Sequence, residues 1–240
     1  MFLNKSEIRW GWICVAMAIV AILCALSFYY FDIPMMYFMR KFNGEWAYIF
    51  DILFGFKSWV IYTICFTAII FVKKLLERRA QSADVDIYKL KDRKLINDKY
   101  KQNTSWVSVL HHPSFYILCS VVFAGAIGGV LKILIGRARP IMFENAGVYG
   151  FFPPGDNYFF YSMPSGHTIA SFAALVTIGL LFPRIKWLCW ALAVLIGLSR
   201  LCYGAHYLGD VLLGAFIGMV VADLIVYYIP KIWYNLSKKK

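Results

Sequence analysis

The sequence predicts an all-α fold, a polytopic membrane bundle of six transmembrane helices forming a single domain over residues 1–240. Three observations carry this prediction. Apolar residues make up 61% of the chain and charged residues only 16%, against about 25% in soluble domains. The mean hydropathy is +0.63. The apolar residues fall in runs close to the ~20 residues that a helix needs to cross a bilayer, and the basic residues collect between those runs.

The first run, about 10–30, follows Lys5 and Arg9. It is longer than a signal-peptide core and no small-residue cleavage site follows it, so it is read as a retained helix. The segment DIPMMYFMRKFNGEW mixes aromatics, methionines and balanced charges, which suits a short helix at the membrane interface. The second span is expected over about 52–72 and the third over about 114–135. Spans four and five, about 166–182 and 187–203, are short, and polar ends complete them. Span six covers about 208–229.

Loop charges set the expected orientation. Residues 73–101 carry ten basic and five acidic side chains. Together with the amino terminus, the PRIK turn (Arg184, Lys186) and the tail (Lys231, Lys238, Lys239, Lys240), they hold the whole formal net charge of +12. The alternate loops, 31–57 and 136–163, are balanced. The positive-inside rule then places both termini and the basic loop, about 73–112, in the cytoplasm. His111 and His112 fall on that side and read as loop residues. The basic surplus is topological, so no nucleic-acid partner is expected. Cys14, Cys24, Cys65, Cys119, Cys189 and Cys202 lie in or at the ends of apolar spans and serve as small packing residues. Gly125 with Gly129, and Gly214 with Gly218, form small-xxx-small spacings that serve packing within the chain at least as well as a dimer. The oligomeric state is not legible here.

Charged groups at membrane depth cost about 2.5–3.5 kcal/mol each on insertion scales, yet three polar clusters converge on the non-cytoplasmic face. KILIGRARP supplies Lys132, Arg137 and Arg139. MPSGHTIA supplies Ser165, Gly166 and His167. SRLCYGAHYLGD supplies Arg200, His206 and Asp210. Each has an ordinary reading: snorkelling cations at a boundary, a serine N-cap, a packed histidine. Gathered together, several cations repel one another unless an anion joins them, and a phosphate suits the arginine fork and the lysine point charge. A helix start at Ser165–Gly166 adds outward N–H groups that favour an anion.

His206 and Asp210 are four apart and share a helical face. A carboxylate on one imidazole nitrogen fixes the tautomer and leaves the other free to attack or to bind metal. The neighbouring cations disfavour a divalent ion. An oriented imidazole beside an anion cradle points to phosphoryl transfer, with His167 placed to protonate a leaving alkoxide. A lipid-phosphate transporter or flippase is the rival class, but binding alone needs cations and no oriented nucleophile.

These residues stand as K-x6-R-P (Lys132, Arg139, Pro140), P-S-G-H (Pro164 to His167) and S-R-x5-H-x3-D (Ser199, Arg200, His206, Asp210). In this the chain resembles the type 2 phosphatidic acid phosphatase superfamily, in its six-span bacterial membrane branch. The resemblance extends over roughly residues 10–229, and all three motifs are complete and in order. It implies a lipid phosphatase or phosphotransferase that needs no metal and no cofactor. By likeness His206 is the nucleophile that forms a phosphohistidine, Asp210 orients it and His167 is the general acid. Lys132, Arg139, Ser165, Gly166 and Arg200 bind the phosphate, and Arg137 is an extra cation placed to contact the headgroup. The implied setting is a bacterial inner membrane with the site facing the periplasm. The aromatic loop Gly147–Met163 either lines lipid access or forms part of an aromatic belt. Its similarity to loops of bacterial envelope phosphatases makes lipid A 1-phosphate the leading substrate. Undecaprenyl pyrophosphate, phosphatidylglycerol phosphate and phosphatidic acid stay open.

Overall fold

A computed structural model describes residues 3–4, 7–85 and 112–238. Most of the basic loop, including His111, lies outside the described residues.

Apart from a two-residue antiparallel pairing, Leu3–Asn4 with Glu7–Ile8, and an isolated bridge between Arg137 and Phe151, the regular structure of the described residues is helical. Helix α1 (Trp10–Leu26) passes through a π turn (Ser27–Phe31) into α2 (Asp32–Arg40), and α3 covers Glu45–Phe54. The segment expected at the interface is therefore two helices, the first running on from α1. α4 (Phe56–Val85) follows a break at Gly55. It starts later than the expected second span and carries helix through 73–85, where a loop was expected. α5 is Pro113–Ile135, α6 Pro140–Ala146, α7 Gly166–Leu181, α8 Lys186–Cys202 and α9 Leu208–Lys238.

Among the described residues, five helical stretches are long and apolar enough to cross a membrane: Trp10–Arg40, Phe56–Lys73, Pro113–Ile135, Pro183–Cys202 and Leu208–Ile232. The chain is an integral membrane protein by this criterion. α7 is apolar but only 16 residues long, about 24 Å at 1.5 Å per residue. What distinguishes it is position. Residues 168–177 of α7 are all buried, and α5, α8 and α9 pack around it. Ile61, Phe66 and Ile69 on α4, and Ile19 and Ile22 on α1, face outward instead, as lipid-facing surfaces require.

Close packing explains two of the expected glycine pairs differently. A Cβ at Gly214 would stand 2.9 Å from the Ser165 carbonyl oxygen, and one at Gly218 would stand 2.7 Å from that of Ile169. This pair lets α9 lie directly against α7. On α5, Gly125 faces Phe56 and Gly128 faces Ile169, while Gly129 meets nothing within 4 Å. The spacing named the right helix and the wrong second residue.

Local signals set the helix ends beside the site. His112 caps α5 by accepting from the Ser114 N–H at 3.3 Å, with Pro113 following it. Gly136 ends the helix at φ +58, a conformation that glycine adopts without strain. Ser165 stands extended before α7.

Candidate active site

Backbone and side-chain hydrogen bonds tie the three polar clusters pairwise. Lys132 Nζ donates to the Pro164 carbonyl at 2.7 Å, joining the first cluster to the second. The Ser165 N–H donates to the Asp210 carbonyl at 3.0 Å, joining the second to the third. Arg139 donates to the Ala205 carbonyl at 3.3 Å, joining the first to the third one residue before His206. Three segments distant along the chain therefore form one site.

Lys132 spends two donors, on Tyr161 and Pro164 carbonyls, and an ammonium has three. Gly166 opens α7 beside it: an added Cβ would reach only the Lys132 Cε, at 3.9 Å. Arg139 lies over the Tyr158 ring at 4.0 Å and donates to the Tyr158 carbonyl at 2.9 Å. The aromatic loop that supplies Tyr158 and Tyr161 is pinned back on the first cluster, with Arg139 N–H donating to Phe159 and Phe152 N–H to Gly136. Burial lowers the pKa of the Arg139 guanidinium from its usual value. The Ser165 hydroxyl is buried, 3.0 Å from that of Thr168.

His206 is buried in the turn between α8 and α9, where Gly204 takes a φ of +71. Its Nδ1 lies 3.5 Å from Asp210 Oδ2, too long for a good hydrogen bond, and finds no other partner. Such contacts commonly tighten only when substrate binds. Burial pushes the His206 pKa down to about 3, against the pull of Asp210 and with the help of Arg139 and Lys132. The imidazole is therefore neutral at physiological pH and keeps a nitrogen lone pair. Asp210 is held on every side: Oδ2 accepts from the Ser162 hydroxyl at 2.5 Å and the Tyr207 N–H at 2.9 Å, Oδ1 from Arg137 at 2.7 Å.

His167 is a quarter exposed and takes a different carboxylate. Its Nε2 lies 3.0 Å from Asp51 Oδ1. The same oxygen accepts from Arg200, whose guanidinium is buried and also donates to the Ala47 carbonyl at 3.2 Å. The His167 hydrogen bond, more than the Arg200 charge, holds the Asp51 pKa down at about 2 although burial opposes it.

Arg137 is not placed as a headgroup contact. Its side chain is 1% exposed and bridges two buried carboxylates, Asp210 and Asp32. Its two terminal nitrogens are taken by carboxylates inside the protein and its Nε is buried without a partner, so the group does not face a headgroup. Burial works against its charge, and Asp210 and Asp32 more than offset this, so its pKa is raised.

Asp32 and Asp51 are the site residues that sequence reasoning missed. Both sat in a segment read as charge-balanced. Each is a lone carboxylate inside an apolar stretch, SFYYFDIP and WAYIFDILF. An ionisable side chain in such surroundings is itself a sign of a partner.

Known proteins resemble this chain. A lipid A 1-phosphatase of Rhizobium johnstonii is 31% identical over 222 residues, covering 90% of this chain and 79% of that protein. A lipid A 1-phosphatase of Rhizobium etli is 38% identical over 114 residues, 48% of this chain and 47% of that protein. An undecaprenyl-diphosphatase of Sulfolobus acidocaldarius is 32% identical over 111 residues, 46% and 52% of the two chains. No solved structure matches. The sequence model of the PAP2 superfamily matches residues 113–234, the stretch that holds all three clusters. With that match, and the long Rhizobium johnstonii alignment behind it, the chain belongs to the PAP2 superfamily.

Proposed function

We propose that the chain is a lipid phosphatase of the bacterial inner membrane that acts through a phosphohistidine. The observation that carries this reading is the buried, neutral His206 beside Asp210, in a site where Lys132 and Arg139 supply positive charge. In the proposed reaction His206 Nε2 attacks phosphorus, and the P–O bond to the lipid breaks. His167 gives its proton to the leaving oxygen. Water, deprotonated by His167, then attacks the phosphohistidine, releasing phosphate and restoring the imidazole. Asp210 orients His206 and stabilises the charge it acquires. Lys132, Arg139, Arg200, the Ser165 hydroxyl and the Gly166 N–H hold the phosphate oxygens. No step calls for a metal or cofactor.

The substrate proposed is lipid A carrying a 1-phosphate, supported by the two Rhizobium relatives. Undecaprenyl pyrophosphate is the second reading, supported by the Sulfolobus relative. Transfer of the phosphate to another lipid would use the same residues. The charge bias of the loops supports six crossings, with both termini in the cytoplasm and the site facing the periplasm.

Purified protein in detergent with EDTA should release phosphate from lipid A, and His206→Ala should abolish the release. Turnover by that variant, or dependence on added metal, would refute the mechanism. Release from undecaprenyl pyrophosphate but not from lipid A would move the substrate to the second reading.

A further inference from the structure

Arg137 belongs to none of the three motifs, and Asp32 lies outside the stretch matched by the superfamily. Yet the two form the most completely buried ionic group beside the site. We propose that Arg137, set in place by Asp32, is a positioning residue for the nucleophile: it fixes the carboxylate of Asp210 so that His206 is aimed at phosphorus. The inference rests on the reading of His206 as that nucleophile.

The geometry runs inward from the first helices. Asp32 is clasped by the Ser27 hydroxyl at 2.6 Å and the Gly209 N–H at 3.2 Å on one oxygen. Its other oxygen accepts from Arg137 and lies 3.1 Å from the Tyr149 hydroxyl. The single Tyr149 hydroxyl proton goes to the nearer acceptor, the Phe28 carbonyl at 2.6 Å, so that the hydroxyl oxygen sits beside Asp32 and accepts from Arg137 at 3.3 Å. The Arg137 guanidinium lies within 5.8 Å of four ring centres, those of Tyr207, Phe28, Phe151 and Tyr149. It meets Asp210 Oδ1 from this cage, on the side away from His206. A planar guanidinium spans two carboxylates in fixed directions, which an ammonium cannot do.

Two carboxylates share one guanidinium, so Asp32 prevents Arg137 from neutralising Asp210 completely. The group keeps a formal charge of −1 next to an imidazole that becomes positive during phosphoryl transfer. Losing Arg137 leaves two buried carboxylates with no cation between them, and their repulsion displaces Asp210 from its place beside His206. Losing Asp32 gives Arg137 wholly to Asp210 and weakens the hold of Asp210 on His206. Both changes act on the nucleophile and neither touches phosphate.

The test measures phosphate release from lipid A in detergent micelles with EDTA. Arg137→Gln and Asp32→Asn are each expected to lower kcat about 10- to 100-fold with KM unchanged within about twofold. The double variant should lose at most about threefold more than the worse single variant. Arg137→Lys should restore little of the loss. A raised KM with unchanged kcat would overturn the proposal and make Arg137 a headgroup contact. Multiplying losses in the double variant would overturn the coupling. If Arg137→Gln does not accumulate folded, the kcat and KM of Asp32→Asn decide alone. A substrate-free readout separates this idea from the reading beneath it. The 15N spectrum of His206 should show the Nδ1–H tautomer, with a population that falls in Asp32→Asn. An unchanged tautomer overturns the positioning role even if lipid A is hydrolysed. A changed tautomer supports it even if lipid A is not the substrate.

Discussion

The site contains two imidazole–carboxylate pairs built in opposite ways. His206 and Asp210 are four residues apart, both buried, and the Asp210 carboxylate is held by three other contacts, from Ser162, Tyr207 and Arg137. His167 and Asp51 are 116 residues apart, on α7 and α3, and their side chains are 26% and 32% exposed. One pair is closed to water and fixed. The other is open, and Asp51 shares a single oxygen between His167 and Arg200. A nucleophile needs a fixed aim and a neutral ring, which burial supplies. In the proposed mechanism the group that gives a proton to the leaving oxygen must stay within reach of an arriving substrate, and the part-exposed position of His167 allows this.

The largest effect should come from breaking the closed pair. Asp210→Asn keeps the shape but cannot hold the same tautomer, and kcat should fall about 10³- to 10⁴-fold, by analogy with the serine-protease aspartate. KM should change little. A loss below about tenfold would show that the closed pair is not what aims His206. Asp51→Asn should cost less, about 10- to 100-fold, because His167 and Arg200 keep their backbone contacts to Asp51 and Ala47. An equal loss in the two variants would erase the distinction between the pairs.

Acid should separate them as well. The His206 pKa in the folded protein is about 3, against 6.5 ordinarily. On acidification the unfolded chain takes up this proton first, so stability contributed above pH 6.5 drains away as pH falls toward 3. The Asp51 pKa is about 2, against 3.8. Its contribution is complete above 3.8 and fades only between there and 2. Thermal unfolding in detergent should therefore weaken between pH 6.5 and 4.5 through His206 and not through Asp51. His206→Gln should flatten that slope, and Asp51→Asn should leave it. The reverse pattern would contradict the burial assigned to the closed pair.

The same contrast governs what was legible in the sequence. His206 and Asp210 are four residues apart where α9 begins, so their spacing alone pairs them, but His206 stands in the turn before the helix and not on a shared helical face. The spans came out well where a run had clear ends: Pro113 and Gly136 bound α5, and Ser165 opens α7. The partner of His167 was not legible, because nothing local links position 51 to position 167. Arg137 misled for a related reason. Beside Arg139 it reads as one more cation facing the anion, and only the tertiary fold turns it inward onto Asp32 and Asp210. The helix through 73–85 was hidden by its charges, which mark a membrane boundary without ending a helix.

The smallest effects should come from pressing on each pair through glycine. A Cβ at Gly214 would stand 2.9 Å from the Ser165 carbonyl oxygen and 3.2 Å from Thr168 Cβ. Both neighbours belong to packed backbone or a branched side chain, so neither yields easily. Ser165 in turn donates its N–H to the Asp210 carbonyl, and the displacement reaches the closed pair. Gly214→Ala should lower stability by about 1–3 kcal/mol and reduce kcat. A Cβ at Gly55 would stand 3.2 Å from His167 Nε2 and from the Asp51 carbonyl oxygen. Here the imidazole is the end of a part-exposed side chain and swings aside, while the Gly55 backbone is extended and accepts alanine. Gly55→Ala should leave the unfolding free energy nearly unchanged, within about 0.5 kcal/mol, and disturb only the proton-donating step. That loss should shrink for lipid substrates with better leaving groups, because they need less protonation. The Gly214→Ala loss should be the same for every leaving group. A leaving-group dependence in Gly214→Ala, or none in Gly55→Ala, would show that the two pairs do not divide aim from proton delivery.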